Sequence, residues 1–86
     1  MLIDDDPDIS LVFEDQLKSA GMIVDAFTNS EDALKHFIQS HYRYYDLITT
    51  DIRMPRLNGF ELYLQLKAFN PNIRIIFITH LIFQPK

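Results

Sequence analysis

Acidic side chains follow two separate apolar runs of this sequence, a placement that suits the binding of a divalent cation. Asp4, Asp5 and Asp6 come directly after the run Met1–Ile3, and Asp51 ends a later run. Carboxylates that are brought close together repel one another unless a cation lies between them. Mg²⁺ accepts one or two carboxylates together with water, carbonyl and phosphate oxygens. We therefore expect Asp5 and Asp51 to bind Mg²⁺ directly and Asp4 to hold one of its water ligands.

Asp51 is also the candidate nucleophile of this site. A carboxylate held beside Mg²⁺ can attack a phosphorus atom and form an aspartyl phosphate, while the ion neutralises charge on the incoming phosphoryl group. A different role is expected for Asp6, since Asp is a favoured N-cap and Pro7 suits the first position of a helix. Phosphoryl transfer to Asp51 is thus the chemistry that these residues favour.

Short apolar runs alternate with amphipathic stretches along the whole chain, which predicts the element order βαβαβαβ. The predicted strands are Met1–Ile3, Met22–Phe27, Asp46–Asp51 and Ile73–Thr79. Of the three predicted helices, one runs from Pro7 towards Ala20, one opens at Asn29–Asp32, and one follows the loop Met54–Gly59. The residues expected to face the core are Ile9, Val12, Phe13 and Leu17 in the first helix, Ala33, Leu34, Phe37 and Ile38 in the second, and Phe60, Leu62, Tyr63 and Leu66 in the third.

This alternation is typical of an α/β fold in which helices cover both faces of a parallel sheet. Ligands in such folds bind at the carboxyl ends of the strands. Three predicted strands end on polar groups, namely the acids after strand one, Asp51 after strand three and Thr79 after strand four. We expect these side chains to converge on one pocket.

The composition indicates a globular protein that has a hydrophobic core and a single domain. The chain has 86 residues, of which 48% are hydrophobic and 23% are charged, and domains usually contain about 100–150 residues. Its net charge of −4 opposes nucleic-acid binding, which depends on positive charge. It contains no cysteine, and its apolar runs are far shorter than the roughly 20 residues that span a bilayer. We expect no direct nucleic-acid binding, no membrane insertion and a cytoplasmic location.

Four segments together resemble the receiver domain of two-component response regulators. They are Leu2–Ile9, Asp51–Pro55, Asn58–Leu62 and Ile76–Thr79, and the resemblance covers essentially the whole chain. It implies a flavodoxin-like, doubly wound parallel sheet. It also implies a signalling protein rather than an enzyme, which takes a phosphoryl group from a sensor histidine kinase and passes the signal to a downstream effector protein.

The resemblance implies a role for each residue of the site. Asp51 corresponds to the phosphoacceptor, and Asp4 and Asp5 correspond to the acidic pair that positions Mg²⁺. The backbone carbonyl of Arg53 is expected to be a further ligand of the ion. Thr79 matches the switch hydroxyl that moves to bond the phosphoryl group. The next position usually carries a small residue in this family, whereas here it is His80, which is expected to affect access to the acceptor.

The sequence also departs from the family pattern. Receivers resemble five βα repeats, roughly 120 residues, so residues 1–86 are expected to form a single partial receiver domain that lacks the fourth helix, the fifth strand and the fifth helix. The family's active-site lysine follows strand five, and Lys86 is not its counterpart. With strand order 2-1-3-4, strand four lies at an open edge, and we expect a homo-oligomer that pairs through this edge.

Two alternatives to the phosphoacceptor remain open at this point. The missing lysine favours a receiver-like interaction module that works without phosphorylation, and it predicts that self-catalysed phosphorylation is weak at best. A metal-dependent hydrolase with an aspartyl intermediate would usually carry a second acid at the position of Arg53. Because this position carries an arginine and not an acid, the hydrolase is the weaker of the two alternatives.

Overall fold

Four short strands alternate with three helices in the computed structural model, which describes residues 1–40 and 43–78. The elements are β1 (Leu2–Ile3), α1 (Pro7–Ser19), β2 (Ala26–Phe27), α2 (Ser30–Gln39), β3 (Leu47–Asp51), α3 (Gly59–Phe69) and β4 (Arg74–Ile78). The predicted order βαβαβαβ is confirmed. None of these helices has the length and apolar composition that a membrane crossing requires. Thr79, His80 and Lys86 lie outside the described residues.

All four strands are parallel, and their order across the sheet is β2-β1-β3-β4, as the sequence predicts. The connection from β1 to β2 crosses the sheet in one direction, and the connections from β2 to β3 and from β3 to β4 cross it in the other. Because crossovers between parallel strands are right-handed, α1 lies on one face of the sheet and α2 and α3 lie on the opposite face. The fold is therefore flavodoxin-like and doubly wound.

The hydrophobic core lies between the sheet and the pair α2 and α3. Ile3 and Ile48 are fully buried in it. The other core members are Met1, Ala33, Phe37, Met54, Leu62, Leu66 and Ile73. Of the residues predicted to face inward from the second and third helices, Ile38 and Phe60 are exposed. Ile38 lines a groove between α2 and α3, and the ring of Phe60 lies 5.2 Å from that of Phe77 at the margin of the sheet.

The opposite face of the sheet is covered less completely. The prediction that Val12 is buried is wrong, because its side chain is 56% exposed. Ile9, Phe13 and Leu17 are only half-buried, and Ser10 is the buried residue of α1. The reason is that α1 contacts β1 and β2 with one side. Val12 lies on the side of α1 that faces away from the sheet, where it has few apolar partners.

Side chains cap the helices where the sequence places suitable residues. The carboxylate of Asp6 accepts hydrogen bonds from the backbone N–H groups of Asp8 and Ile9, at 3.0 and 3.3 Å. This confirms the predicted N-cap. Asn29 caps α2 in the same way. At the other end of α1, Gly21 adopts a φ of +91°, a conformation that glycine reaches without steric cost.

The second strand is shorter than predicted. It covers Ala26–Phe27 rather than Met22–Phe27, and Ile23 is 97% exposed. The cause lies in its neighbour, since β1 is itself only two residues long and pairs with β2 over those two residues. The N–H of Leu2 still donates to the carbonyl of Asp25, but residues 22–24, although rich in β-forming side chains, lie beyond the end of β1.

One side-chain hydrogen bond joins the segment before β2 to the segment before β3. The hydroxyl of Tyr45 donates to Oδ2 of Asp25 at 2.7 Å. Burial of the phenol raises the pKa of Tyr45, and the bond to the Asp25 carboxylate raises it further. The folded protein therefore holds this proton more tightly than the unfolded chain does. The resulting stabilisation is present below the unfolded pKa of about 10 and is lost as the pH rises through the folded pKa.

We expect Tyr45→Phe to lower the free energy of unfolding by about 1 kcal/mol at neutral pH, because it removes one hydrogen bond to a carboxylate. Above about pH 10 the wild type should lose stability faster than the variant. Urea unfolding across a pH series would measure both effects. Tyr44→Phe is the control, since Tyr44 is an exposed neighbour. Equal stability of wild type and Tyr45→Phe at neutral pH would contradict this prediction.

Candidate magnesium and phosphoacceptor site

The pairing of β1 with β3 brings two of the predicted acids together. Ile3 lies opposite Thr50 in the register of these neighbouring strands. The next residue of each strand is an aspartate, Asp4 after β1 and Asp51 at the end of β3. Asp5 follows Asp4 directly. Two separate segments therefore deliver acidic side chains to the carboxyl end of the sheet.

The three carboxylates form one cluster. Asp4, Asp5 and Asp51 each offer an oxygen, and these oxygens lie within 4.8 Å of one another. The side chains of Asp4 and Asp51 are 1% and 6% exposed, whereas Asp5 is exposed to solvent. Buried carboxylates at this separation repel strongly. A cluster of hard oxygen donors that is open on one side suits Mg²⁺, which keeps several of its waters and meets phosphate oxygens.

Backbone groups orient the two buried carboxylates. The N–H of Asp6 donates to Oδ1 of Asp4 at 2.9 Å, and the N–H of Arg53 donates to Oδ1 of Asp51 at 3.3 Å. Arg53 itself is exposed. The structure thus places Arg53 beside the acceptor, and the use of its carbonyl as a metal ligand stays a prediction. The predicted switch residue Thr79 and its neighbour His80 fall outside the described residues.

Gly59 packs against the backbone of Asp51 and Ile52, a contact that the sequence did not reveal. Its N–H donates to the carbonyl of Ile52 at 2.9 Å. A Cβ atom at this position would lie 2.5 Å from the carbonyl oxygen of Asp51 and 2.8 Å from Cα of Ile52. The first turn of α3 therefore rests directly on the backbone that carries the acceptor, and only glycine allows this approach.

A capping box fixes the start of α3 at that position. Asn58 accepts from the N–H of Glu61 at 3.0 Å, and the Glu61 carboxylate accepts from the N–H of Asn58 at 3.2 Å. The sequence analysis places Asn58 and Gly59 in a loop, whereas Asn58 is the N-cap and Gly59 the first helical residue. The spacing Asn-x-x-Glu was the signal that could have located this helix start.

Ser30 was a second residue that the sequence did not single out. It is buried at the start of α2, and its hydroxyl donates to the carbonyl of Leu57 at 2.7 Å. Leu57 belongs to the loop between β3 and α3, in which Arg56 adopts a φ of +66°. The bond ties this loop to α2. A serine at a helix start is normally interpreted as a cap, so no pattern pointed to the longer contact.

Comparisons with known proteins agree on one family. The model of the response regulator receiver domain matches residues 1–82. Among curated proteins, the transcriptional regulatory protein RprY of Bacteroides fragilis is 30% identical over 79 residues, which cover 92% of this chain and 32% of RprY. A solved receiver domain of Clostridium thermocellum matches with a TM-score of 0.86 and 27% identity, covering 91% of this chain and 61% of that one.

A further solved structure is that of the response regulator TrrA of Thermotoga maritima in complex with Mg²⁺ and BeF. Its TM-score is 0.84 and its identity is 32%, and the match covers 92% of this chain and 66% of that one. The chain thus spans about a third of RprY and under two thirds of the two solved chains. With the sheet order and the acidic cluster described above, these matches show that the chain belongs to the response regulator receiver domain family.

Proposed function

We propose that this chain takes a phosphoryl group on Asp51 from the phosphohistidine of a sensor histidine kinase, with Mg²⁺ held by Asp4, Asp5 and Asp51. The observation that carries this proposal is the cluster of three carboxylate oxygens within 4.8 Å of one another. The structure of the family member TrrA contains Mg²⁺ and BeF, which supports the same use of the site here.

In this proposal an Asp51 oxygen attacks the phosphorus atom in line with the histidine nitrogen. The O–P bond forms as the N–P bond breaks, and the imidazole leaves with the electron pair of that bond. Asp5, Asp51 and the carbonyl of Arg53 would hold Mg²⁺, and Asp4 would hold one of its waters. The ion would supply positive charge to the phosphoryl oxygens. Thr79 is proposed to bond the transferred group afterwards, and His80 to control access to it.

The other partners follow from the same role. Receiver domains are signalling modules rather than enzymes in the usual sense. Phosphorylation would shift this chain between two conformations, and a downstream effector protein would recognise the phosphorylated one. We propose a cytoplasmic location, because the kinase and the effector would meet the chain there. The net charge of −4 continues to oppose direct contact with nucleic acid.

A receiver-like interaction module that works without phosphate is the alternative, and the placement of the lysines favours it. Lys18 pairs with Glu14 at 2.7 Å, and Lys35 lines the groove between α2 and α3. Lys67 donates to the carbonyls of Pro71 and Ile73. The lysines that the structure describes thus lie at positions other than the acidic cluster.

Incubation with Mg²⁺ and acetyl phosphate separates these two functions. The phosphoacceptor is expected to gain the mass of one phosphoryl group, and Asp51→Asn should abolish the gain. Asp8→Asn is the matched control, since Asp8 is an exposed acid of α1 outside the cluster, and it should react like the wild type. A wild-type chain that gains no phosphoryl group from acetyl phosphate or from a phosphorylated histidine kinase would favour the interaction module.

The predicted homo-oligomer depends on β4. This strand pairs with β3 on one side, and within residues 1–40 and 43–78 no strand pairs with its other side. Unpaired amides along such an edge can add a strand from a second copy. Self-association through the edge of β4 therefore stays a proposal.

A further inference from the structure

The loop between β3 and α3 contains a strained turn. The N–H of Leu57 donates to the carbonyl of Pro55 at 2.8 Å, and Arg56 between them has a φ of +66°. A hydrogen bond from residue i+2 back to residue i around a positive φ is a γ-turn of the rare, strained kind. At a residue other than glycine, such a conformation persists only where the surrounding structure holds it, and it is often found at functional sites. The contacts that hold this turn are therefore of interest.

The hydroxyl of Ser30 holds the turn from α2. It donates to the carbonyl of Leu57 at 2.7 Å, and Ser30 is only 4% exposed. Leu57 is itself half-buried and packs against the hydrophobic core. Removal of the hydroxyl would leave the carbonyl of Leu57 without this partner in a place that water reaches poorly, and such a loss is costly.

Two neighbouring contacts of α2 have other roles. Nη1 of Arg56 lies 3.4 Å from Oε1 of Glu31, but these side chains are 78% and 54% exposed. Exposed ion pairs stabilise little, because water and salt screen them. The cap of α2 is provided by Asn29, which accepts from the N–H groups of Glu31 and Asp32. The hydroxyl of Ser30 is thus not the cap of its helix and bonds to the loop instead.

The loop that contains this turn begins and ends at the acceptor strand. The N–H of Gly59 donates to the carbonyl of Ile52 at 2.9 Å, which closes the loop directly after Asp51. Arg53, whose carbonyl is the proposed ligand of Mg²⁺, lies two residues before Pro55 in the same loop. Because peptide units are planar, a loop this short has few dihedral angles that can absorb a change. Release of the turn is therefore expected to move the Arg53 carbonyl as well.

We propose that Ser30 is a positioning residue of the acceptor site, whose hydroxyl holds the γ-turn and thereby keeps the carbonyl of Arg53 in place for the cation. This inference deepens the function proposed above and rests on it. It gives α2 a part in a site whose acidic cluster takes its side chains from other segments. Groups that orient a metal ligand from outside typically change metal affinity by about 10–100-fold when they are removed.

Hydrogen exchange of the magnesium-free chain tests whether Ser30 holds the turn. Ser30→Ala should raise the exchange rate of the Leu57 amide, the donor of the turn, about tenfold or more, because the turn opens more often. Ser30→Thr keeps a hydroxyl and should return this rate to within about threefold of the wild type. Asn29→Ala is the matched control, since it removes the cap of the same helix. It should raise the exchange rates of Glu31 and Asp32 and leave that of Leu57 unchanged.

A magnesium titration, followed by amide NMR shifts, tests whether the turn positions the metal ligand. The wild type should show a saturable response, and Ser30→Ala should raise the Mg²⁺ concentration at half-saturation about tenfold. Ser30→Thr should stay within about threefold of the wild type because it keeps the hydroxyl. Asn29→Ala should leave the midpoint unchanged. Because Asn29→Ala also weakens α2, this pattern separates positioning from a general loss of stability.

Three results would overturn this inference alone. The first is a Leu57 amide that exchanges at the same rate in the wild type and in Ser30→Ala. The second is a magnesium midpoint that Ser30→Ala shares with the wild type, since the turn would then not position the ligand. The third is an equal rise of the midpoint in Ser30→Ala and Asn29→Ala, which would indicate destabilisation of α2. A wild-type chain that does not respond to Mg²⁺ would instead overturn the proposed function, and this inference with it.

Discussion

Asp51→Asn is expected to raise the free energy of unfolding in magnesium-free buffer by about 1–3 kcal/mol and to abolish stabilisation by Mg²⁺. Without a cation, the charge on Asp51 is buried beside Asp4 and close to Asp5. Two charges about 5 Å apart repel by roughly 3 kcal/mol at an effective dielectric constant of 20, and relaxation reduces this cost. Asparagine removes the charge and keeps an oxygen to accept from the N–H of Arg53.

The wild type should respond to Mg²⁺ in the opposite way. A ligand present at one hundred times its dissociation constant stabilises a folded protein by about 2.7 kcal/mol. Thermal or urea unfolding at constant ionic strength, with and without Mg²⁺, would measure both parts of the prediction. Asp8→Asn should keep the full response, because Asp8 is outside the cluster. A magnesium response that survives in Asp51→Asn would remove Asp51 from the metal site.

Gly59→Ala is expected to lower the free energy of unfolding by about 1–3 kcal/mol, since it adds an atom to a contact that has no room. The new Cβ would meet the backbone of Asp51 at 2.5 Å, and a backbone cannot rotate away as a side chain can. Either α3 or the end of β3 must shift. A shift of β3 moves Asp51, so the Mg²⁺ concentration at half-saturation should rise about tenfold or more.

Gly21→Ala provides the matched control for this substitution. Gly21 has a φ of +91° and no atom within 4 Å of an added Cβ. Its replacement should cost about 1 kcal/mol through backbone strain alone and leave the magnesium titration unchanged. The comparison of urea unfolding with magnesium titration for both variants separates strain from displacement of the site. An unaltered magnesium midpoint in Gly59→Ala would show that α3 does not position Asp51.

Sequence patterns predicted the element order and the acidic cluster because both depend on local signals, whereas the strand order came from the resemblance to the receiver family. The apolar runs are short enough to be strands, and each acid of the cluster stands at or just after the end of one. Burial was harder to predict. Val12 has the spacing of a core residue and is exposed, because helical periodicity shows which side chains share a side but not how wide a surface covers them.

The supports of the site could not be predicted for a related reason. The close approach of Gly59 to Asp51 and the bond from Ser30 to Leu57 join segments that are distant in the sequence or meet only after folding. A glycine beside an asparagine is equally typical of an ordinary turn. The length of β2 also depended on its partner, since a strand forms only where a neighbour pairs with it.

The two-residue length of β1 affects how the parts of this protein hold together. This strand lies in the middle of the sheet and joins β2 to β3 through few backbone hydrogen bonds. The carboxylates that would share a cation come from both of these strands. Asp4 and Asp5 follow β1, and Asp51 ends β3. A bound cation would therefore join the ends of two neighbouring strands that pair over only two residues. Cation binding and the attachment of β1 to β3 would then depend on the same three side chains.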